Sequence, residues 1–445
     1  MNTNPSALAR LSAANSDAQA PVANGDERTR TSRPHGRWYS FAGAGALVAV
    51  GYMDPGNWAT ALASGARYGY AMLCVVLLAS LMGVLLQWVA SRVGVVTGRD
   101  LAQLCRERYS RRMTFMLWIA CEIAIIACDV AEVVGSAVAL QMLFGLSLTA
   151  GVLISAFATF AMLALQSRGR RPLQCAVTML ILFVSLCFVI ELALAHPAWG
   201  DALRGMAPSR ELVRDAGMLW LAAGILGATV MPHNLYLHSA LVKEHANVGD
   251  DAAIRRALHG VNIDTFSSLG LAFVVNASLL VVAASVFHAN GHTEVDDLAD
   301  AHRLIAPLVG SHWAGAVFAA ALLACGLNAT VTGTLAGQAV MEGFLRLKMA
   351  RWARALVTRA LAIGPALMAV ASFGQHGSNA LLVATQVVLS LQLPLAVIPL
   401  VRFASDAGLM GRWRVARVPL ALAWACAGVI VALNGAMLWQ AAFAA

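Results

Sequence analysis

The stretch "GYMDPGNWAT", residues 51–60, interrupts a long apolar run with an acid, a proline, a glycine and an amide. Asp54, Pro55, Gly56 and Asn57 stand where a membrane helix should be continuous. A proline in a helix interior has no N–H to donate, and its ring clashes with the carbonyl four residues back. Pro55 therefore frees the carbonyl of Gly51. In hydrocarbon an unpaired carbonyl is costly unless something satisfies it. Proline alone kinks many membrane helices. The carboxylate beside it separates this segment from a simple kink, because intramembrane acids are expensive and mark sites.

The membrane reading comes from the whole chain. Of 445 residues, 59% are hydrophobic and 12% charged, and the mean hydropathy is +0.70. An ordinary soluble domain carries about 25% charged residues. About eleven apolar runs recur, near residues 40–68, 71–93, 113–140, 147–166, 172–195, 215–242, 263–289, 312–345, 352–372, 379–402 and 416–441. Each is long enough to cross about 30 Å of hydrocarbon. Residues 1–37, rich in Ala, Ser, Asn and Arg, are expected to form a disordered cytoplasmic tail. No apolar segment of signal-peptide type precedes the first span. The eight cysteines are scattered without a CxxC and read as small hydrophobes.

Charge orients the spans. The net charge of +8 resides in short arginine-rich loops, which argues against a nucleic-acid partner. After the second span comes "SRVGVVTGRDLAQLCRERYSRR", and after the fourth "SRGRRP". Arg346, Lys348, Arg351 and Arg354 follow the eighth span; Arg402, Arg412, Arg414 and Arg417 follow the tenth. The tail adds Arg28, Arg30, Arg33 and Arg37, whereas the loop after the seventh span carries Glu294, Asp296, Asp297 and Asp300. Positive loops stay cytoplasmic. The N-terminus is thus expected inside, and an odd span count puts the C-terminus on the periplasmic side.

A second break lies in the sixth span, "GATVMPHNLYLHS", residues 227–239. Pro232 frees the carbonyl of Ala228 there, beside Met231, His233 and Asn234. The first and sixth spans run in opposite directions. Interrupted helices five spans apart and opposed in polarity mark an inverted-repeat transporter. The expected organisation is residues 38–205 for spans one to five, 206–405 for spans six to ten, and 406–445 for a loop and an eleventh span. Freed carbonyls beside Asp54, Asn57 and Met231 form an oxygen-rich pocket with one sulfur, which suits a cation. A thioether offers little to magnesium or calcium and favours manganese or iron, with cobalt, nickel, zinc or cadmium as guests. A lone Met elsewhere in a membrane helix fills gaps; its place directly before Pro232 favours the ligand reading.

These residues carry a family resemblance. "DPGN" at 54–57 and "MPHN" at 231–234 resemble the paired signatures of the Nramp family of proton-coupled divalent-metal transporters. "CGLNATVTGTLAGQAVMEGF" at 325–344 and "TQVVLSLQLPLAVIPL" at 385–400 are similar to further family stretches. The resemblance spans roughly residues 40 to 440. It implies an all-α integral membrane protein of about eleven transmembrane helices, a LeuT-like 5+5 inverted repeat with discontinuous helices 1 and 6. It implies metal binding by Asp54, Asn57 and Met231, by carbonyls near the breaks, those of Gly51 and Ala228, and by Gln386. Relatives that carry magnesium lack the sixth-span methionine, so Met231 points to the bacterial manganese branch in the inner membrane. Leu327, Ala329 and Leu335 depart from the family pattern in the eighth span.

The third span, "CEIAIIACDVAEVVGS", holds Glu122, Asp129 and Glu132 on one helix face. Burial disfavours the charged form of a carboxyl group, as a proton relay requires. A structural ion pair with Arg359 of the ninth span is the other reading of these acids, and the two are compatible. By resemblance the acids, Asp54, His233 and Arg359 belong to the family's proton path. His233 and His238 are five apart, which is not the spacing of a zinc pair, so gating or proton handling is expected, with His238 and Asn234 beside the site. His288, His292 and His302 read as members of a solvated loop.

No HExxH, GxSxG or P-loop occurs, which argues against an enzyme or an ATP-driven pump. The expected substrates are a divalent metal ion and protons, with no cofactor and no obligate protein partner. Two transport alternatives stay open: a symporter of an organic solute on the same architecture, or a magnesium transporter. Asp54 would repel a substrate carboxylate, which counts against the first.

Overall fold

The computed structural model describes residues 43–443 apart from 168–169, 246–249, 296, 312, 348–349 and 374–377. The expected tail, residues 1–37, lies outside the described residues, as does Asp296 of the acidic loop. Every regular element among the described residues is helical.

The first span is two helices, α1 (Ala44–Gly51) and α2 (Pro55–Tyr68). The second is α3 (Leu73–Thr97), and a short α4 (Leu101–Arg108) leads to the third, α5 (Arg111–Phe144). Spans four and five are α6 (Leu148–Ser167) and α7 (Arg170–Ala195), followed by a short α8 (Trp199–Gly205). The sixth span is again double, α9 (Ala216–Val230) and α10 (Pro232–Val242), and the seventh is α11 (Asp251–Val286). Beyond α12 (Leu298–Val309) come α13 (Ala314–Leu345), α14 (Arg351–Phe373) and α15 (Ser378–Ser405). A single turn, α16 (Ala407–Met410), precedes the last span, α17 (Arg417–Phe443). All eleven expected spans therefore coincide with a helix or a pair of helices. Eight helical segments among the described residues are long and apolar enough to cross a bilayer, with Pro55–Thr97 counted as one.

Small residues let these helices approach closely, the usual device where lipid removes the hydrophobic drive between helices. The α5–α13 pair is the most extensively packed. Gly326 of α13 lies against Ser136, and Gly333 against Asp129 and Glu132 of α5. Gly135 of α5 receives the ring of Pro55, which sets the third span directly beside the first break. Helix α15 packs on both α5 and α9, and α10 on α5, so the two breaks lie inside the bundle. On the rim, α7 exposes Leu182, Phe183, Leu186 and Val189, and α17 exposes Leu422, Trp424 and Trp439. In water such a belt would be a liability; around a membrane bundle it is the lipid face.

One position differs from the charge reading. Arg354, counted above with the loop after the eighth span, is on α14 and 4% exposed. A partner inside the bundle holds it there, as described below.

Candidate metal site

The first break begins where α1 runs out of donors. The N–H groups of Tyr52 and Met53 fall back on the carbonyls of Ala49 and Val50, at 3.1 and 3.0 Å, a tightened last turn. Asp54 is then extended (φ −68°, ψ 162°) and caps α2, with Pro55 at the first helical position. Its Oδ1 accepts from the backbone N–H of Asn57 at 2.9 Å and from Asn57 Nδ2 at 2.8 Å. The same residue thus starts a helix and carries the buried carboxyl group.

The second break is a single residue. Met231 has φ 26° and ψ 106°, ends α9 and opens α10, with Pro232 next. Its sulfur lies 3.5 Å from Asn234 Nδ2. A Cβ added at Gly51 would meet that Asn234 amide and would lie 3.2 Å from Met231 Sδ. The end of α1 therefore touches the second break, and Gly51 has no room for a side chain.

The two breaks are also bonded to each other. Asn57 Nδ2 donates to the carbonyl oxygen of Ala228 at 3.0 Å. From α15, Gln386 Nε2 reaches Asp54 Oδ2 at 3.4 Å and Thr385 Oγ1 at 3.2 Å. The Gln386 amide fills the space that a side chain at Gly56 would need, and its backbone abuts Gly227. Asp54, Met231, Ala228, Asn234 and Gln386 are all fully buried, and Asn57 is 4% exposed. Six residues that sequence reasoning named for the metal, together with Asn234, are thus linked by contacts across the two breaks and α15. The carbonyl of Ala228 is engaged by Asn57, because the amide between the two breaks can donate to both sides.

Unmet acceptors lie in the same place. Gln386 Oε1, Asn234 Oδ1 and His233 Nδ1 are buried without a hydrogen-bond partner. Buried polar atoms without partners are rare in native structures, and a bound ion or water would satisfy these. Among the described residues no three of His, Cys, Asp and Glu come together as a metal cage. The donor set is one carboxylate, amides, carbonyls and a thioether. Such a set could hold an ion without trapping it, the balance a transport site requires.

The acid stripe adjoins this cluster. Asp129 and Glu132 are 2% and 1% exposed, and both face Gly333 of α13. A Cβ there would lie 3.0 Å from Glu132 Oε1 and 3.2 Å from Asp129 Oδ1. Cys128, read as a packing residue, donates to Glu132 Oε1 at 3.8 Å and packs with Met231 and Leu389. It therefore touches both Met231 and Glu132, four residues before the latter on the same face.

Glu122, at the far end of the stripe, binds Arg354 Nη2 through both carboxylate oxygens at 3.0 and 2.9 Å. Trp118 Nε1 donates to it at 3.0 Å. Arg354 is the partner that sequence reasoning missed; a charge just inside a helix start reads as a loop charge. The side chain of Arg359, the arginine that was named, lies outside the described residues.

The two sixth-span histidines separate. His233 follows Pro232 at the break, whereas His238 Nδ1 pairs with Gln87 Oε1 at 3.0 Å and its Nε2 lies 3.5 Å from Thr265 Oγ1. His238 thus ties spans six, two and seven and does not reach the metal cluster. In the acidic loop, His288 Nδ1 contacts the carbonyl of Ala66 at 3.0 Å, so it is anchored and not simply solvated. Burial holds His302 below the ordinary imidazole range. Asp297 caps α12 through the N–H of Ala299 at 2.9 Å.

A family model described as Nramp, "Natural resistance-associated macrophage protein-like", matches residues 45–440. The divalent metal cation transporter MntH of Bradyrhizobium diazoefficiens is 51% identical over 398 residues, 89% of this chain and 88% of that protein. The divalent metal cation transporter MntH 1 of Pseudomonas aeruginosa is 52% identical over 400 residues, 90% and 91% of the two chains. The structure of the Eremococcus coleocola manganese transporter, in complex with an aromatic bis-isothiourea substituted compound, superposes with a TM-score of 0.82 at 34% identity. That match covers 94% of this chain and 90% of the other. Mhp1, a nucleobase-cation-symport-1 family transporter, aligns over 90% of this chain and 93% of its own at 14% identity and a TM-score of 0.58, a likeness of LeuT-like fold alone. With all eleven spans, both opposed breaks and the family match extending from Gly45 to Gln440, the chain belongs to the Nramp family.

Proposed function

We propose that the protein imports divalent transition-metal ions together with protons across a bacterial inner membrane. Manganese is the principal cargo, with ferrous iron beside it and cadmium, cobalt and zinc as guests. The observation that carries this reading is the meeting of the two helix breaks at Asp54 and Met231, bridged by Asn57 to the Ala228 carbonyl. The oxygens of Asp54, Asn57, Gln386 and the breaks suit any hard dication; the thioether favours a first-row transition metal over magnesium or calcium. The unpartnered Gln386 Oε1 and Asn234 Oδ1 are acceptors that a cation would satisfy. The printed names of the relatives support a divalent metal cargo, and that of the solved structure supports manganese.

Because Asp54 and Met231 are fully buried, an ion enters or leaves only when one half of the bundle moves. Rocking of residues 38–205 against 206–405 about the breaks would provide that motion, with 406–445 as an added loop and span. Arrival of the dication at Asp54 favours its ionised form and expels a proton toward His233, Asp129 and Glu132. Glu122, Arg354 and Arg359 lie further along the same route. The arginine-rich loops support a cytoplasmic N-terminus and a periplasmic C-terminus.

Metal uptake into proteoliposomes with internal pH recorded tests the reading. Manganese and iron should enter and acidify the lumen, calcium and magnesium should not, and Asp54→Ala should abolish entry. Manganese entry without acidification would remove the proton coupling. Absence of uptake for every metal would end the proposal.

A further inference from the structure

Glu191 belongs to no part of the site described above. It is on α7, four residues before the helix ends at Ala195, and so at the end away from the arginine-rich Arg170–Arg171 start. It is 2% exposed, and both carboxyl oxygens are buried without a hydrogen-bond partner. One turn back, Phe188 packs on Trp58 with ring centroids 5.0 Å apart, and Trp58 meets Phe318 of α13 at 5.1 Å. Trp58 directly follows Asn57. Glu191 therefore lies one helical turn beyond an aromatic layer that borders the metal cluster.

Among the described residues nothing charged compensates it. Helix α7 packs on α1, α6, α11 and α13, and through Phe188 on Trp58 of α2, whose Arg67 is exposed in the last turn and lies over the Tyr68 ring. Neither α1 nor α6 contains an ionisable residue. Those of α11, namely Asp251, Arg255, Arg256, His259 and Asp264, all lie in its first half, toward the opposite end of the bundle. Helix α13 offers Cys325 and, near its far end, Glu342; Cys325 comes within range of Cys187. Cys187, four residues before Glu191 on α7, is its ionisable neighbour among the described residues.

An ionised carboxylate with neither partner nor water is heavily penalised, whereas the neutral acid is tolerated. When this end of the bundle opens, water would reach the side chain and the ionised form would regain its hydration. Closure and protonation are therefore linked. We propose that Glu191 is a proton-binding site that loads as the end of the transporter away from the arginine-rich loops closes, and empties as it hydrates. The step joins one proton from the solution on that side to one carboxylate oxygen, and no other bond changes. This site is separate from the third-span acids, and its role in transport rests on the alternating-access reading above. Acid on that side favours the closed form, by up to about tenfold per pH unit for a single proton.

Infrared difference spectra of the purified full-length protein and Glu191→Gln test the site without reference to transport. A carboxylic-acid C=O absorption should be present in the wild type at neutral pH and missing from the variant. Glu191→Leu, which removes no partner, should match Glu191→Gln. In proteoliposomes with fixed internal pH, the dependence of manganese uptake on external pH should flatten by about threefold or more in both variants, within the one-proton limit. Manganese affinity should stay within about twofold, since Glu191 touches no proposed ligand. An unchanged absorption pattern, an unchanged external-pH profile, or a tenfold loss of manganese binding would each overturn the proposal. Failure of the wild type to take up manganese would instead count against the transport reading, and the infrared result would still decide Glu191.

Discussion

Met231 is one of three non-glycine residues with positive φ among the described residues, the others being His196 and Arg346. Such a conformation costs about 1–3 kcal/mol and persists where the surroundings enforce it. Here Pro232, Asn234 and the side-chain-free Gly51 enforce it, and the sulfur is left facing Cys128 and Leu389. Met231→Ala should keep most manganese uptake while the preference for manganese over calcium falls by roughly tenfold, about 1.4 kcal/mol. Competition by calcium in a manganese uptake assay measures this. The glycines make a complementary test. A methyl at Gly56 meets the end of the flexible Gln386 side chain, so Gly56→Ala should fold and weaken manganese binding by about tenfold, as displaced packing of about 1–3 kcal/mol implies. A methyl at Gly227 would lie 2.7 Å from the backbone nitrogen of Ser390, which cannot swing aside, so Gly227→Ala should lower the melting temperature as well. Asp54, Asn57 and Met231 were legible because a proline beside an acid or a sulfur in hydrocarbon has no cheap explanation. Cys128 was not, since a cysteine in an apolar helix looks the same whether it fills space or borders a site.

At the scale of the element, the span positions were readable because about 20 apolar residues are needed to cross the hydrocarbon. What escaped were the short helices that lie in the loops. Helix α4 begins with a capping box in which Asp100 accepts from Gln103 and the Gln103 side chain accepts from Asp100 N–H. Its Asp-x-x-Gln spacing was present in a stretch read for arginines alone. Arg354 escaped for a related reason. Its position in the first turn of α14 gives no sign that Glu122 lies opposite. Removing one partner of a buried pair leaves a charge uncompensated, so Arg354→Ala should destabilise the protein by about 3–5 kcal/mol. The double change Glu122→Gln with Arg354→Gln should recover part of that loss in a thermal melt. At the start of α9, Asp215 accepts from the N–H of Met218 and from Tyr68, both at 2.9 Å, and these bonds hold its carboxyl below the usual range. A depressed carboxyl contributes stability above its unfolded value and loses it as the pH falls through the folded one. Asp215→Ala should therefore cost about 1 kcal/mol at neutral pH, and the difference from wild type should shrink on acidification below the carboxylate range.

For the molecule as a whole, the opposed breaks supplied the architecture. The packing that closes the site was beyond reach of the sequence. That Asn57 bridges to Ala228 while Gln386 leans on Asp54 depends on helices 170 to 330 residues apart in the chain meeting at small side chains. Periodicity within one helix carries no record of such a meeting. The same holds for Glu191, whose lack of partners follows from where the ionisable residues of α11 and α13 fall along their lengths. On the function proposed above, the two breaks collect oxygen ligands and a thioether for a transported dication. Anomalous diffraction from crystals soaked in manganese tests it most directly. A peak bounded by the Asp54 carboxylate and the Met231 sulfur is expected; a peak elsewhere in the bundle, or none in crystals of protein that transports manganese, would overturn the proposed site.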